Sequence, residues 1–381
     1  MNVVATVRPI VLFYGLVLFG GYACARLAAR SAVRHEPVAA ATKLRQRNFF
    51  LGALFAVVMV LVGVPTGVLA ILAQLTEQIP VLGSTAVQDV LFYASVVFGP
   101  ALLGYLTVSL AMLPAWRELK DIEVSAWSGV RNTTRGYVAT VAPKFGLFVL
   151  GMTLSPGIAV VVGTAVAYTI YAVSSPWVFE RLNDSRPLDA DERERLGETA
   201  DRDVPIRVVN ASDVKESQGF AVGVVPGFRR VYLTDFLLDE LTATEVRAVT
   251  EHEFAHFHRG HLLVRMVVSG LLVVGIAATI AEASAWSLFL AVVVGIPYWL
   301  ALAAASRWTE YDADRQAATA ESATAMAGAL DALGEHNLLR REHNVLDALL
   351  ETHPSIERRT ARLGADENNS TSQTETTDSP V

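Results

Sequence analysis

The sequence predicts a polytopic α-helical membrane protein with a mainly helical polar domain that carries a small β-sheet and is interrupted by a transmembrane hairpin. Three observations carry this expectation. The 381 residues are 52% hydrophobic and 18% charged, with a mean hydropathy of +0.38, whereas average domains are nearer a quarter charged. The deficit is local: windows of about twenty residues, the length that crosses a bilayer, hold almost no charge, and charges crowd between them. A long polar stretch, 180–261, then separates the early apolar windows from a final apolar pair. The one cysteine, Cys24, lies inside an apolar run, which excludes an intramolecular disulfide and argues against a cysteine-bound metal. A net charge of -7 argues against a nucleic-acid partner.

The early windows are Ile10–Ala25, Phe49–Ala73, Val90–Leu113 and Phe145–Val173; the later pair is Leu262–Ala281 and Trp286–Ala305. Only Arg8 precedes the first window, while six cations and one acid follow within Arg26–Asn48. A cleaved signal carries its cations before the apolar core, so this reads as an uncleaved span with its amino end outside. Loop cations mark the cytoplasmic side. Gln74–Asp89, with no Lys or Arg, is expected outside, and Pro114–Gly136, with Arg117, Lys120, Arg131 and Arg135, inside. The fourth window contains Ser155-Pro156-Gly157, a turn signal. It divides the window into arms Val138–Leu154 and Ile158–Phe179, with Lys144 near enough to an end to snorkel. Two arms give seven spans and a cytoplasmic polar domain; a single span gives six and an external one. Seven is preferred.

The chain is therefore expected to divide into a membrane region of four or five spans (1–179), a first polar part (180–261), a hairpin (262–305), a second polar part (306–363) and a disordered acidic tail (364–381). In the first polar part, Ser185–Asp203 reads as a charged helix. Ile206–Asn210, Gly219–Val225 and Arg230–Thr234, with a Pro226-Gly227 turn, read as a small antiparallel sheet. Thr242-Ala243-Thr244-Glu245 fits a capping box that opens the next helix. Ser306–Leu350 has a helical pattern throughout.

That next helix holds His252-Glu253-Phe254-Ala255-His256. Residues four apart share a helix face, so both imidazoles can reach one zinc ion while Glu253 projects beside them. Neutral imidazole and carboxylate suit zinc, and a third protein ligand leaves one position for water. Zinc lowers that water's pKa, and Glu253 is placed to take its proton. Such a spacing also arises on ordinary amphipathic helices, so a second signal is needed. Ser306-Arg307-Trp308-Thr309-Glu310-Tyr311-Asp312-Ala313-Asp314 provides it. Two spans return the chain to the side it left, so Glu310 can join His252 and His256, and Asp314 can fix the tautomer of a liganding histidine. His258 and His261 match no further ligand pattern and read as polar residues near the membrane surface. Arg247, Glu251, His258 and Arg259 indicate that the motif helix is wet or interfacial rather than inside a span.

Together these strings resemble the HtpX and CAAX-prenyl-protease family of membrane zinc metallopeptidases, from about Val204 to Leu363. The resemblance rests on the HEFAH motif, Gly260-His261, the apolar hairpin, Ser306–Asp314, and a late His353-Pro354 followed by Arg358 and Arg359. It implies a zincin-like protease domain in which His252, His256 and Glu310 bind one Zn2+ and Glu253 is the base. Asp314 would support a ligand, and His353 with Arg358 or Arg359 would stabilise the reaction intermediate. Gln218-Gly219-Phe220-Ala221 stands where members often show Asn-Ala-Phe-Ala. A substrate strand would lie beside Phe220, Ala221, Val222 and Gly223, pairing through its backbone. The implied activity is endopeptidase action on peptides or membrane proteins, and backbone pairing that reads little sequence suits quality control; the alternative is trimming of prenylated carboxyl termini, and a lesser one is a non-catalytic membrane scaffold. The amino-terminal spans outnumber the two of typical HtpX proteins.

Overall fold

The computed structural model describes residues 3–63, 97–141, 158–282, 284–342, 348–349 and 351–365. Two compact units emerge: Met1–Tyr171 with Val274–Ser284, and Ala172–Val273 with Ala285–Val381. Gln74–Asp89, Lys144, the Ser155-Pro156-Gly157 turn and the tail from 366 onward lie outside the described residues.

In the first unit α1 (Val3–Ala32), α2 (Pro37–Gly63) and α3 (Gly99–Lys120) pack together, and α4 (Ala126–Thr140) lies on α3. The seam is lined by Ala25, Ala29, Ala32, Val108, Ala111 and Ala115, with Leu44 and Met112 filling it. Small residues matter here because packing, not water exclusion, holds helices together in lipid. At Gly104 a Cβ would stand 2.6 Å from the Phe55 carbonyl oxygen, so the α2–α3 approach requires glycine there. Large apolar side chains such as Leu16, Phe19, Leu54 and Leu61 face outward, as a lipid-facing surface demands. Ser125 caps α4 by accepting from the Ser128 N–H, and α4 runs into the start of the expected arm Val138–Leu154. The following helix, α5 (Ile158–Leu182), begins directly after the expected turn. Stretches Val11–Ala32, Pro37–Val62, Gly99–Lys120 and Val161–Leu182 are each long and apolar enough to cross a bilayer.

The second unit carries the polar domain. Its strands are β1 (Ser185–Pro187), β2 (Ile206–Val209), β3 (Gly219–Val222) and β4 (Arg230–Thr234), in the order β1-β2-β4-β3. The β3–β4 pair is antiparallel, as expected, but β2 joins β4 in parallel. The sheet is therefore mixed, because the connection after β2 carries the chain past β4 before β3 begins. Strand β3 ends at Val222 rather than Val225: Gly223 has φ +99, and a Cβ there would meet the Phe228 carbonyl oxygen at 2.6 Å.

Ser185–Asp203 is not one helix. Pro187 closes a short edge strand, where a missing N–H is tolerated. Asp189 then opens α6 (Ala190–Leu196) with a capping box to Glu192, and a tight turn, Gly197–Asp201, follows. After α7 (Asp235–Glu240), Thr242 and Glu245 form the expected capping box of α8 (Ala243–His258). The chain continues as α9 (His261–Glu282) and the 36-residue α10 (Ala285–Ala320). The continuous helix expected over Ser306–Leu350 instead breaks after Ala320. Ser322 accepts from the Ala325 N–H and starts α11 (Ala323–His336). That reversal packs Met326 and Leu330 with Ala248 and Ala317.

Helix α8 is central rather than wet. Residues Ala248 through Phe257 are all buried, with Val249, Phe254 and Phe257 in a core shared with Val231, Leu233 and Leu237. Of the four polar residues that suggested a wet or interfacial helix, His258 and Arg259 at its end are exposed, while the other two are paired: Arg247 donates to Glu321 at 3.0 and 3.1 Å, and Glu251 accepts from Arg202 at 2.7 Å. Protein partners substitute for water.

Candidate metal centre

One turn of α8 places the His252 and His256 Nε2 atoms 3.3 Å apart. Helix α10 brings Glu310 between them, its oxygens 3.6 Å from His252 Nε2 and 3.7 Å from His256 Nε2. A tetrahedral site with bonds of about 2.0–2.1 Å has ligand atoms roughly 3.3–3.4 Å apart. These three side chains, all buried, therefore fit a single metal ion. Their expected convergence across an intervening apolar hairpin is what the fold provides.

Around them lies a ring of charges. Asp314 Oδ1 is 2.9 Å from His252 Nδ1, short although not aligned as a hydrogen bond. The largely buried Arg359 donates to Asp314, through Nε at 2.7 Å, and its Nη1 lies 3.6 Å from Glu310. Arg358, its neighbour, is exposed. His353 is exposed on one side yet has Nδ1 3.4 Å from Glu310. Burial opposes ionisation of Glu310, but His252, His353 and Arg359 outweigh it and hold the carboxyl well below its usual range. Burial is the largest influence on Glu253 and raises its pKa, with His252 pulling the other way. A carboxylate so raised is better matched to proton transfer near neutrality.

Strand β3 is the sheet edge next to this centre, and the Ala221 N–H reaches the Glu253 carboxylate. Of the four residues expected along the edge, Phe220 turns its ring away, stacking on Tyr232 at 5.2 Å and meeting Phe179 edge-on at 5.1 Å. Gly219 faces α8 instead: a Cβ there would be 2.7 Å from Val249 Cγ1 and 3.5 Å from Glu253 Cγ. The glycine that departs from the alanine common in the resembled family is thus matched to this valine.

Two residues escaped the sequence reading. Arg265, at the start of α9, donates to Glu310 and to Thr309 Oγ1 at 2.9 Å. His261 is buried against His256, with the two Nδ1 atoms 3.1 Å apart. Residues five apart on a straight helix point to different faces. Gly260, with φ +69, ends α8, and the chain turns by 59° into α9, bringing His261 back. The Gly260 that precedes it was the available signal, since a left-handed glycine commonly ends a helix.

Comparison with known proteins agrees with this geometry. Residues 192–367 match the family model described as Peptidase family M48. Over 173 residues the chain is 31% identical to proteins named Protease HtpX homolog from Neisseria meningitidis and Neisseria gonorrhoeae, covering 39% of this chain and 62% of theirs. It thus spans less than two thirds of those relatives. The fold is similar to the crystal structure of S. mikatae Ste24p, with TM-score 0.65 and 15% identity over 92% of this chain and 98% of that one. The resemblance to the HtpX and CAAX-prenyl-protease group is borne out, and the fold class with it.

Proposed function

We propose that this chain, with its M48 peptidase match over 192–367, is a membrane-embedded zinc endopeptidase of quality control. The observation that carries the reading is the convergence of His252, His256 and Glu310 beside Glu253 and the free edge of β3. A zinc ion held by those three side chains would supply Lewis acidity to a water and to the scissile carbonyl.

The chain's own groups do the rest. A substrate segment pairs with the β3 edge as an added strand, which positions its backbone while reading little sequence. Glu253, raised by burial, takes a proton from the attacking water and returns it to the leaving nitrogen. Arg359 is fixed by Asp314 and faces the Glu310 side of the site. It and His353 are the groups placed to stabilise charge on the former carbonyl oxygen. Arg358 is exposed to solvent and is dropped from that role. The polar unit faces the cytoplasm in this reading, because the cation-rich Pro114–Gly136 marks that side and the Ser155-Pro156-Gly157 turn divides the next window into two spans that return to it.

The alternative, prenyl-protein proteolysis, needs an apolar chamber with groups that recognise a lipidated terminus. Among the described residues, the pocket between the amino-terminal helices is lined by no Asp, Glu, Lys or Arg. Unmodified, partly unfolded membrane proteins are therefore the preferred substrates. A matched pair of peptides, prenylated and not, assayed beside a misfolded membrane protein tests this. Cleavage of the misfolded protein without regard to prenylation is expected; selective cutting of the prenylated peptide alone would reverse the assignment.

A further inference from the structure

The two histidines of the motif are supported differently. His252 has a carboxylate, Asp314, directly at its outer nitrogen. His256 has none. Its outer nitrogen meets His261 Nδ1 at 3.1 Å, and the far side of that ring, Nε2, lies 3.2 Å from Asp312 Oδ2, close although not aligned as a hydrogen bond. His261 is essentially inaccessible, with Trp308 edge-on to its ring at 5.8 Å. Asp312 lies nearer the surface, where Arg259 Nε approaches it at 3.5 Å and Gln316 donates to it at 3.3 Å.

We infer that His261 is a positioning residue for the metal centre, holding His256 in the tautomer that presents Nε2 inward. The reason lies in the hydrogen-bond roles. Ligation through Nε2 requires the His256 proton on Nδ1, so that nitrogen must donate. The facing His261 Nδ1 must then accept, which places the His261 proton on Nε2, the side of the ring where the Asp312 carboxylate, an acceptor only, stands 3.2 Å away. Every group in the string has one consistent role, and the opposite assignment would put the His256 proton on the nitrogen that faces the metal. Outer partners of this kind typically change metal affinity by about 10–100-fold.

This inference rests on the metal-site reading above, and the experiment separates the two. Zn2+ affinity is measured by chelator competition, and Co2+-loaded protein by its visible absorption, for wild type, His261→Phe, His261→Gln and Asp312→Ala. Phenylalanine retains the ring against Trp308 but cannot accept; glutamine can accept from His256 and donate to Asp312. His261→Phe is expected to bind Zn2+ about 10–100-fold more weakly and to shift the Co2+ bands, whereas His261→Gln recovers most of the affinity. Asp312→Ala is expected to lose several-fold. Equal affinity and spectra for Phe and wild type, or equal losses for Phe and Gln, would overturn the inference. Should His261→Phe not fold, wild-type affinity in Asp312→Ala would do the same. Failure of the wild-type protein to bind Zn2+ at all would instead remove the underlying metal site.

Discussion

Glu253 and the three proposed metal ligands should differ in what their loss removes. Glu253 is not among the three side chains that converge, so Glu253→Gln should bind metal normally and lose nearly all cleavage, while His256→Ala and Glu310→Ala lose both. Metal content and turnover on one purified sample decide it; wild-type-like turnover by Glu253→Gln would remove the proposed base. Protonation gives a second check. Burial lowers the basicity of His252, but Asp314 and Glu310 outweigh it and raise its pKa to about 9 in the metal-free protein. Below that value the imidazole carries a proton that a metal must displace. Apparent metal affinity should therefore rise about tenfold per pH unit through neutrality and level off above about 9. Titration in buffers of differing ionisation enthalpy would reveal the released proton; a pH-independent affinity through neutrality would contradict the expectation. At Gly219, a Cβ would press on a stiff valine at 2.7 Å. Overpacking of this kind costs about 1–3 kcal/mol. Gly219→Ala should lower Tm, and pairing it with Val249→Ala should recover part of the loss, a coupling that a double-mutant cycle measures. Additive losses would show that the contact does not set the glycine.

The elements show how unlike neighbours build one site. Helix α8 presents two candidate ligands and the proposed base from one face because its start is capped and it is packed against the sheet, α10 and α11. The 36-residue α10 carries Glu310 on the same rigid rod as the apolar window before it, so that ligand's position is set by a helix and not by a loop. The bend at Gly260 acts differently. Its φ of +69 turns the chain so that His261 and Arg265 face back toward the centre. Gly260→Ala places a side chain in left-handed backbone, which costs about 1 kcal/mol or more. It should weaken metal binding more than it lowers Tm, because the bend serves the site more than the core. A variant that loses stability yet retains full metal affinity would argue otherwise.

For the whole molecule, the number of spans sets the side on which the polar unit lies. The hairpin reading places Ser155 outside and the exposed Ser212 in the cytoplasm. In a Cys24→Ser background, cysteines at Ser155 and Ser212 should label from opposite sides of the membrane. Labelling at Ser212 from outside would support six spans and an external catalytic unit. The similarity to Ste24p extends over 92% of the chain, so the amino-terminal helices share in the fold likeness as well as the M48 region. Their outward faces bear large apolar residues while alanines fill the seam, the distribution a lipid environment selects.

Much of this was written in the chain itself. Apolar windows, the capping box at Thr242 and the strand Arg230–Thr234 are local signals, governed by backbone hydrogen bonding and solvent preference within a few residues. The convergence of His252, His256 and Glu310 was legible too, because the string Ser306–Asp314 joined the four-residue histidine spacing as a second signal. Other features depend on residues remote in sequence. The parallel join of β2 to β4, the reversal at Ser322 and the burial of α8 follow from what packs against what, and Arg247 and Glu251 look solvated until Glu321 and Arg202 arrive. His261 shows the limit most clearly. A spacing of five places it on a different face of any straight helix, and only the turn at Gly260, with its φ of +69, brings its ring to His256. Local chemistry determines which groups are available, and tertiary packing decides which of them meet, because contact energies act over ångströms in space without regard to distance along the chain.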